Sequence, residues 1–384
     1  MTQPNVYCTA PWKGVAVLEN GDVTTCCLGS TKIGNLNQNS IEQLMSSPTF
    51  KEIQQDFIRG LKNKNCAECH RQEETIGYAN LRQHFLRYYP IESLNEHHLK
   101  VVDVRWNNKC NLSCQYCNPH TSSTWELKLG LPLSSVNKTY QDDLLQWILG
   151  QTSHLREIML AGGEPMLMKQ NYKLFKHAPD DCKFSIVTNL SYGLESLPCM
   201  EDLIKRPKDN VIWTISADNT HKQFEYVRNG AYWDQLVKNI KFLTHHWPHS
   251  VGLNIVYSIL SATEIDSTYK TFSDLGLHKV SLLQLVENNE LSVDRMPESI
   301  RKLCADRLLQ LIDFHQNKFG IDQHLYPIKG IEAIYKNFTT ANNQNIISKD
   351  LFNKKIDSFD RHSANKSFKL LWPELSRLLD QELT

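Results

Sequence analysis

Three cysteines, Cys110, Cys114 and Cys117, stand in the run Asn107-Asn108-Lys109-Cys110-Asn111-Leu112-Ser113-Cys114-Gln115-Tyr116-Cys117 with the spacing CxxxCxxC. Soft thiolates gathered on one tight loop suit an iron-sulfur cluster. Three ligands leave one iron of a 4Fe-4S cubane without a protein thiolate, and such an open position is where a substrate or cofactor binds. The competing assignment is a zinc knuckle, to which His120 would supply the fourth ligand.

A second group lies nearer the N-terminus. Cys66-Ala67-Glu68-Cys69 forms a CxxC pair, with Cys8 and Cys26 far upstream of it. A long-range pair closed by a CxxC is a metal-site arrangement, and a four-thiolate structural zinc satisfies the same spacing as an iron-sulfur cluster. Cys26 and Cys27 are adjacent and only one of them is expected to ligate; Cys26 is preferred, with Cys27 as the alternate. His70 follows the CxxC directly and reads as a solvated residue at a helix start. The sequence holds 11 cysteines, and its first residues show no basic segment followed by an apolar run. A cytoplasmic location is therefore expected, where reduced thiols serve metal ligation or catalysis rather than disulfides.

The elements that must position these thiols follow from the rest of the 384 residues. Lysines plus arginines equal acidic residues at 42 each, so no global basic field draws nucleic acid, and no apolar stretch reaches the ~20 residues of a membrane span. Residues 1–80 read as a small hairpin-and-helix module, with a turn at Glu19-Asn20-Gly21-Asp22 and one amphipathic stretch from Ile41 to Leu61. From Lys100 the texture changes to strand and helix in alternation. Strands are expected at 101–106, 157–161, 184–188, 211–216, 253–259 and 280–286, with helices near 139–150, 168–177, 197–206, 232–246 and 263–275. That is an α/β chain: a partial (β/α)6 barrel over 100–290, preceded by the small N-terminal module and followed by a helical extension over 297–384.

With these residues in view, the segment 100–290 resembles the radical S-adenosylmethionine (SAM) superfamily. CNLSCQYC matches its cluster loop, and Ala161-Gly162-Gly163-Glu164-Pro165 matches its GGE motif. The resemblance implies that Cys110, Cys114 and Cys117 hold a 4Fe-4S cluster whose fourth iron binds SAM, with Gly162, Gly163 and Glu164 at the SAM amino group. It further implies Asn189 and Ser216 at the ribose, Arg228 at the carboxylate and Tyr116 against the adenine. Each of these residues is placed by the strand plan at a strand's C-terminal end, where barrel active sites gather, or in a segment just beyond one. The bland alternatives are ordinary turn residues at Thr188-Asn189 and Asp218-Asn219, and a surface cation at Arg228.

Cys8-Thr9-Ala10-Pro11-Trp12, Gly21-Asp22-Val23-Thr24-Thr25-Cys26-Cys27, Gly34-Asn35 and Cys66-Ala67-Glu68-Cys69 are similar to the twitch module, the shortened relative of SPASM domains. The resemblance implies an auxiliary 4Fe-4S cluster on Cys8, Cys26, Cys66 and Cys69. In most members the module follows the barrel, whereas here it precedes it. The implied enzyme cleaves SAM to a 5′-deoxyadenosyl radical that abstracts hydrogen. Its implied partners are a peptide or small-molecule substrate and a flavodoxin or ferredoxin-type reductant, with no membrane or nucleic acid. A fully ligated second cluster favours net oxidation, a dehydrogenation or crosslink. Two alternatives stand beside it: redox-neutral epimerisation, for which neither Cys182 nor Cys304 is well placed, and a non-catalytic iron-sulfur or zinc protein.

Overall fold

The computed structural model describes residues 7–76, 79–91, 99–134, 139–285, 289–320, 335, 346–363 and 366–383. Residues 1–6 and 77–78 of the expected module, Val286 of the last expected strand, and 321–334, 336–345, 364–365 and Thr384 of the expected extension lie outside the described residues. The chain divides into two compact units. Met1–Cys110, Pro119–Thr188 and Leu197–Trp213 form the first; Asn111–Asn118, Asn189–Ser196 and Thr214–Thr384 form the second.

In the first unit the turn expected at Glu19–Asp22 joins strand β1 (Gly14–Val17) to β2 (Asp22–Thr24). Leu18 N–H donates to the Asp22 carbonyl at 2.8 Å, and Gly21 takes a φ of 86° that only a residue without a Cβ adopts cheaply. β3 (Gly34–Asn35) pairs antiparallel with β2. A Cβ on Gly34 would lie 2.3 Å from a Leu44 methyl, so the Gly-Asn pair admits the helix that follows. The amphipathic stretch is two helices, Ile41–Met45 and Pro48–Ile58. The break comes from a second cap: Ser40 and Gln43 form a capping box, and then Ser47 accepts from Phe50 N–H with Pro48 in the first turn.

The module is not set apart from the sheet. β1 runs parallel to β4 (Val101–Val104), Gly14 opposite Val101 through Val17 opposite Val104. All four β1 residues are buried, the continuous apolar pattern of a strand covered on both faces. Helices Ala67–Ile76 and Asn80–Tyr88 connect the module to β4. The first was read from sequence only as a helix start at His70, and the polar sequence of the second left it unassigned.

The remaining strands are β5 (Glu157–Leu160), β6 (Lys183–Thr188), β7 (Val211–Ser216), β8 (Val251–Tyr257) and β9 (Lys279–Gln284). β4 with β5, β5 with β6 and β8 with β9 form parallel ladders. The strand order is β3-β2-β1-β4-β5-β6-β7-β8-β9. This is the expected α/β plan, a largely parallel sheet carrying the six strands of a partial barrel. The five expected helices fall at Tyr140–Gly150, Lys169–His177, Met200–Lys205, Trp233–His246 and Ile265–Asp274. Beyond β9 come Glu298–Phe319, Lys349–His362, Phe368–Leu371 and Pro373–Glu382. Among the described residues no helix is long and apolar enough to cross a membrane.

Candidate functional site

Four N-terminal thiols share one cavity. Cys8 precedes a short helical turn and accepts from Ala10 N–H at 3.4 Å, Cys26 follows β2, and Cys66 and Cys69 straddle the start of helix Ala67–Ile76. They line a small buried pocket closed by Pro11, Phe57, Leu81, Arg82 and Phe85. Asn65 holds the two ends of the module together: its amide donates to Thr25 Oγ1 at 2.9 Å, and its carbonyl accepts from Thr31 N–H at 3.0 Å. Cys27 faces away from this pocket, towards Asp103 and Arg105. Packing thus separates the adjacent pair that spacing left open.

Burial, with repulsion from the neighbouring sulfurs, pushes the Cys8 thiol up to about 12 and Cys66 up to about 11. Loading such thiols with metal releases protons, because only thiolates ligate. Four thiols around one buried cavity are a donor set that fits an iron-sulfur cluster. No group of three or more Cys, His, Asp or Glu among the described residues is arranged to hold a single metal ion. His70 corrects one expectation: it is partly buried, within 3.4 Å of Arg82 and 3.5 Å of Glu73, instead of lying free in solvent.

At the end of β5 the two expected glycines have a steric purpose. Gly162 has a φ of 99°, and a Cβ on Gly163 would stand 2.2 Å from the Lys109 carbonyl oxygen. Gly163 N–H donates to Asn107 O at 3.3 Å and Glu164 N–H to Lys109 O at 2.8 Å. The cysteine loop as far as Cys110 is therefore fastened to the GGEP turn. Cys110 itself is held through its backbone, N–H to Ser123 Oγ at 3.1 Å and carbonyl from Thr124 Oγ1 at 2.8 Å. The Glu164 carboxylate is fully buried and accepts from Met166 N–H and Thr188 Oγ1. Gly163→Ala should displace backbone that has nowhere to go, costing about 1–3 kcal/mol as overpacking does. An unchanged urea midpoint for that variant would contradict the close approach.

The second unit holds Cys114, Tyr116 and Cys117. The loop runs beside the segment after helix His221–Val227, with Ser113 N–H on Asn229 O at 2.9 Å and Gln115 N–H on Val227 O at 2.8 Å. Arg228 does not stand on the surface. Its Nε and Nη2 grip Asp218 at 2.7 and 3.1 Å, and its Nη1 is 3.9 Å from Cys114 Sγ. Asp218 also accepts from Val256 N–H at 2.7 Å, which ties β8 to the ion pair. A hydrogen bond with Cys117, and then burial, hold the Cys114 thiol well above its ordinary value. Tyr116 OH meets Ser258 Oγ at 2.5 Å. Asn189 bonds Asn111 and Ser191, and Ser216 ends β7 half-buried. Removing one partner of a buried pair strands the other charge, so Asp218→Asn should cost about 3–5 kcal/mol. Its urea midpoint should fall accordingly.

Asp218, Asn229, Ser258 and Arg82 are contributors that sequence spacing did not assign. Each acts through a contact distant in the chain. Cys182 and Cys304 are fully buried, one before β6 and one on helix Glu298–Phe319.

Residues 8–70 match the family model of SPASM, an iron-sulfur cluster-binding domain. The match contains all four thiols of the N-terminal pocket. No curated protein matches the chain. Solved structures similar to it include histidine-tagged anSMEcpe with bound AdoMet, at 16% identity and TM-score 0.43 over 59% of this chain and 61% of that one. Another is Streptococcus suis SuiB, at 14% identity and TM-score 0.43 over 76% of this chain and 62% of that one. The same protein bound to precursor peptide SuiA gives 13% identity and TM-score 0.41 over 65% and 61%. The chain thus matches less than two thirds of the length of each of these.

Proposed function

We propose that the chain is a radical SAM enzyme with an auxiliary cluster. In this reading Cys110, Cys114 and Cys117 hold one 4Fe-4S cluster with SAM at its open iron, and Cys8, Cys26, Cys66 and Cys69 hold the second. The observation that carries it is the Glu164 N–H bond to Lys109 O at 2.8 Å. It couples the cysteine loop to a GGEP turn for which a zinc knuckle has no use. When bound, these cofactors supply reductive cleavage of SAM to methionine and a 5′-deoxyadenosyl radical, which takes hydrogen from an unactivated carbon.

The chain's own residues position and exclude. Gly162, Gly163 and Glu164 would hold the SAM amino group, Asn189 and Ser216 would serve the ribose, and Tyr116 would meet the adenine. Arg228, fixed by Asp218, keeps positive charge beside Cys114 where it favours the SAM carboxylate. Cys8, Cys26, Cys66 and Cys69 would occupy every iron of the second cluster, which leaves substrate no coordination position and makes electron uptake the remaining task. The reaction is then a net oxidation of a peptide residue or small polar molecule, a dehydrogenation or crosslink, with a flavodoxin or ferredoxin-type reductant. Epimerisation needs an accessible thiol donor, and the burial of Cys182 and Cys304 speaks against it.

Anaerobic reconstitution tests the reading. About eight iron atoms per chain are expected if both sites hold cubanes, together with 5′-deoxyadenosine when SAM and a reductant are added. Four iron with one zinc would make the N-terminal site a structural staple. Absence of 5′-deoxyadenosine from iron-replete protein would reject the enzyme assignment.

A further inference from the structure

Arg82 lies outside the segment that matches the cluster-binding domain, yet its side chain closes the four-thiol pocket. It sits on helix Asn80–Tyr88 with only 2% of its surface exposed. Its Nε stands 3.2 Å from Glu73 Oε1 and its Nη2 3.4 Å from His70 Nδ1. A buried guanidinium is expensive to desolvate. Glu73 offsets part of that cost, but its side chain is 24% exposed and so its charge is partly screened. The guanidinium's positive charge is also felt by the Cys8, Cys66 and Cys69 thiols, in each case favouring the thiolate.

We infer that Arg82 sets the reduction potential of the N-terminal cluster, holding it high enough for the cluster to act as an electron acceptor. The inference rests on the proposed reading that Cys8, Cys26, Cys66 and Cys69 ligate a cubane. A thiolate-ligated cluster gains one negative charge on reduction, and its potential follows net charge and hydrogen bonds to its sulfurs. A fixed cation in a buried pocket stabilises the reduced form more than the oxidised one. Glu73 acts in the opposite sense, weakening the field that Arg82 exerts.

The two signs give the test. Redox titration followed by absorbance and electron paramagnetic resonance would use the full chain with Cys110, Cys114 and Cys117 replaced by Ala, so that the N-terminal cluster alone responds. If this background carries no cluster, the underlying reading fails, irrespective of Arg82. If it does, Arg82→Gln should shift the oxidised-to-reduced ratio at fixed ambient potential at least tenfold towards oxidised, a fall of about 59 mV for a one-electron couple. Arg82→Lys keeps the charge and should stay within threefold of the parent. Glu73→Gln should move the ratio severalfold towards reduced. Ratios unchanged within twofold in both Arg82→Gln and Glu73→Gln, or shifted in the same direction, would overturn the inference. Should Arg82→Gln fail to retain its cluster, the Glu73→Gln shift decides alone: upward supports the inference, unchanged or downward rejects it.

Discussion

Replacing Cys110, Cys114 and Cys117 together with Ala is expected to abolish 5′-deoxyadenosine formation to the detection limit, while about half the iron and the N-terminal cluster's absorbance remain. The expectation follows from division of labour between two thiol groups. In the proposed reading the loop at 110–117 would supply three ligands and leave one iron open, and chemistry at a metal requires that vacancy. The triple variant should stay folded, because Cys110 is held through backbone bonds to Ser123 and Thr124 that Ala preserves. The loop's bonds to Asn229 and Val227 are likewise made by backbone N–H groups. Survival of SAM cleavage would show that the assignment of the catalytic thiols is wrong.

The Cys66→Ala, Cys69→Ala double variant should behave in the opposite way. Cleavage of SAM and the first hydrogen abstraction persist, and deuterium from labelled substrate still reaches 5′-deoxyadenosine, but oxidised product is lost. Iron should fall from about eight to about four atoms per chain. The two residues contribute a pair of ligands to one pocket, so their removal expels its metal without touching the barrel loop. Metal binding and folding are coupled in small modules, and the required control is a variant that remains soluble and cleaves SAM. Here the module has support beyond its metal, since β1 is paired along its length with β4. Full conversion to product by the double variant would leave the N-terminal cluster a purely structural role.

Local signals carried most of the barrel. Helices expected near 139–150 and 232–246 form at Tyr140–Gly150 and Trp233–His246, because their apolar period is written within the segment itself. The CxxxCxxC loop and the GGEP turn were legible for the same reason. What stayed hidden depends on partners far along the chain. Arg228 carried two readings, a place at the SAM carboxylate implied by the resemblance and a surface cation, and its burial against Asp218 removes the second. The choice between Cys26 and Cys27 needed the pocket wall, and Arg82 offers no motif at all. The parallel union of β1 with β4 was equally invisible, since a four-residue apolar run does not announce which strand it will join.

That union bears on how the protein avoids sticking to its own kind. Without β1, strand β4 would present an open edge of unpaired backbone groups, of the sort that pairs with another chain. The N-terminal hairpin covers it and moves the sheet's margin outward to β3, which is two residues long. Asn35 further blunts that margin by donating its side-chain amide to Asp22 at 2.9 Å. The module that gathers the four thiols therefore also covers the edge of β4, and a chain lacking it should expose that edge as well as lose the thiol pocket.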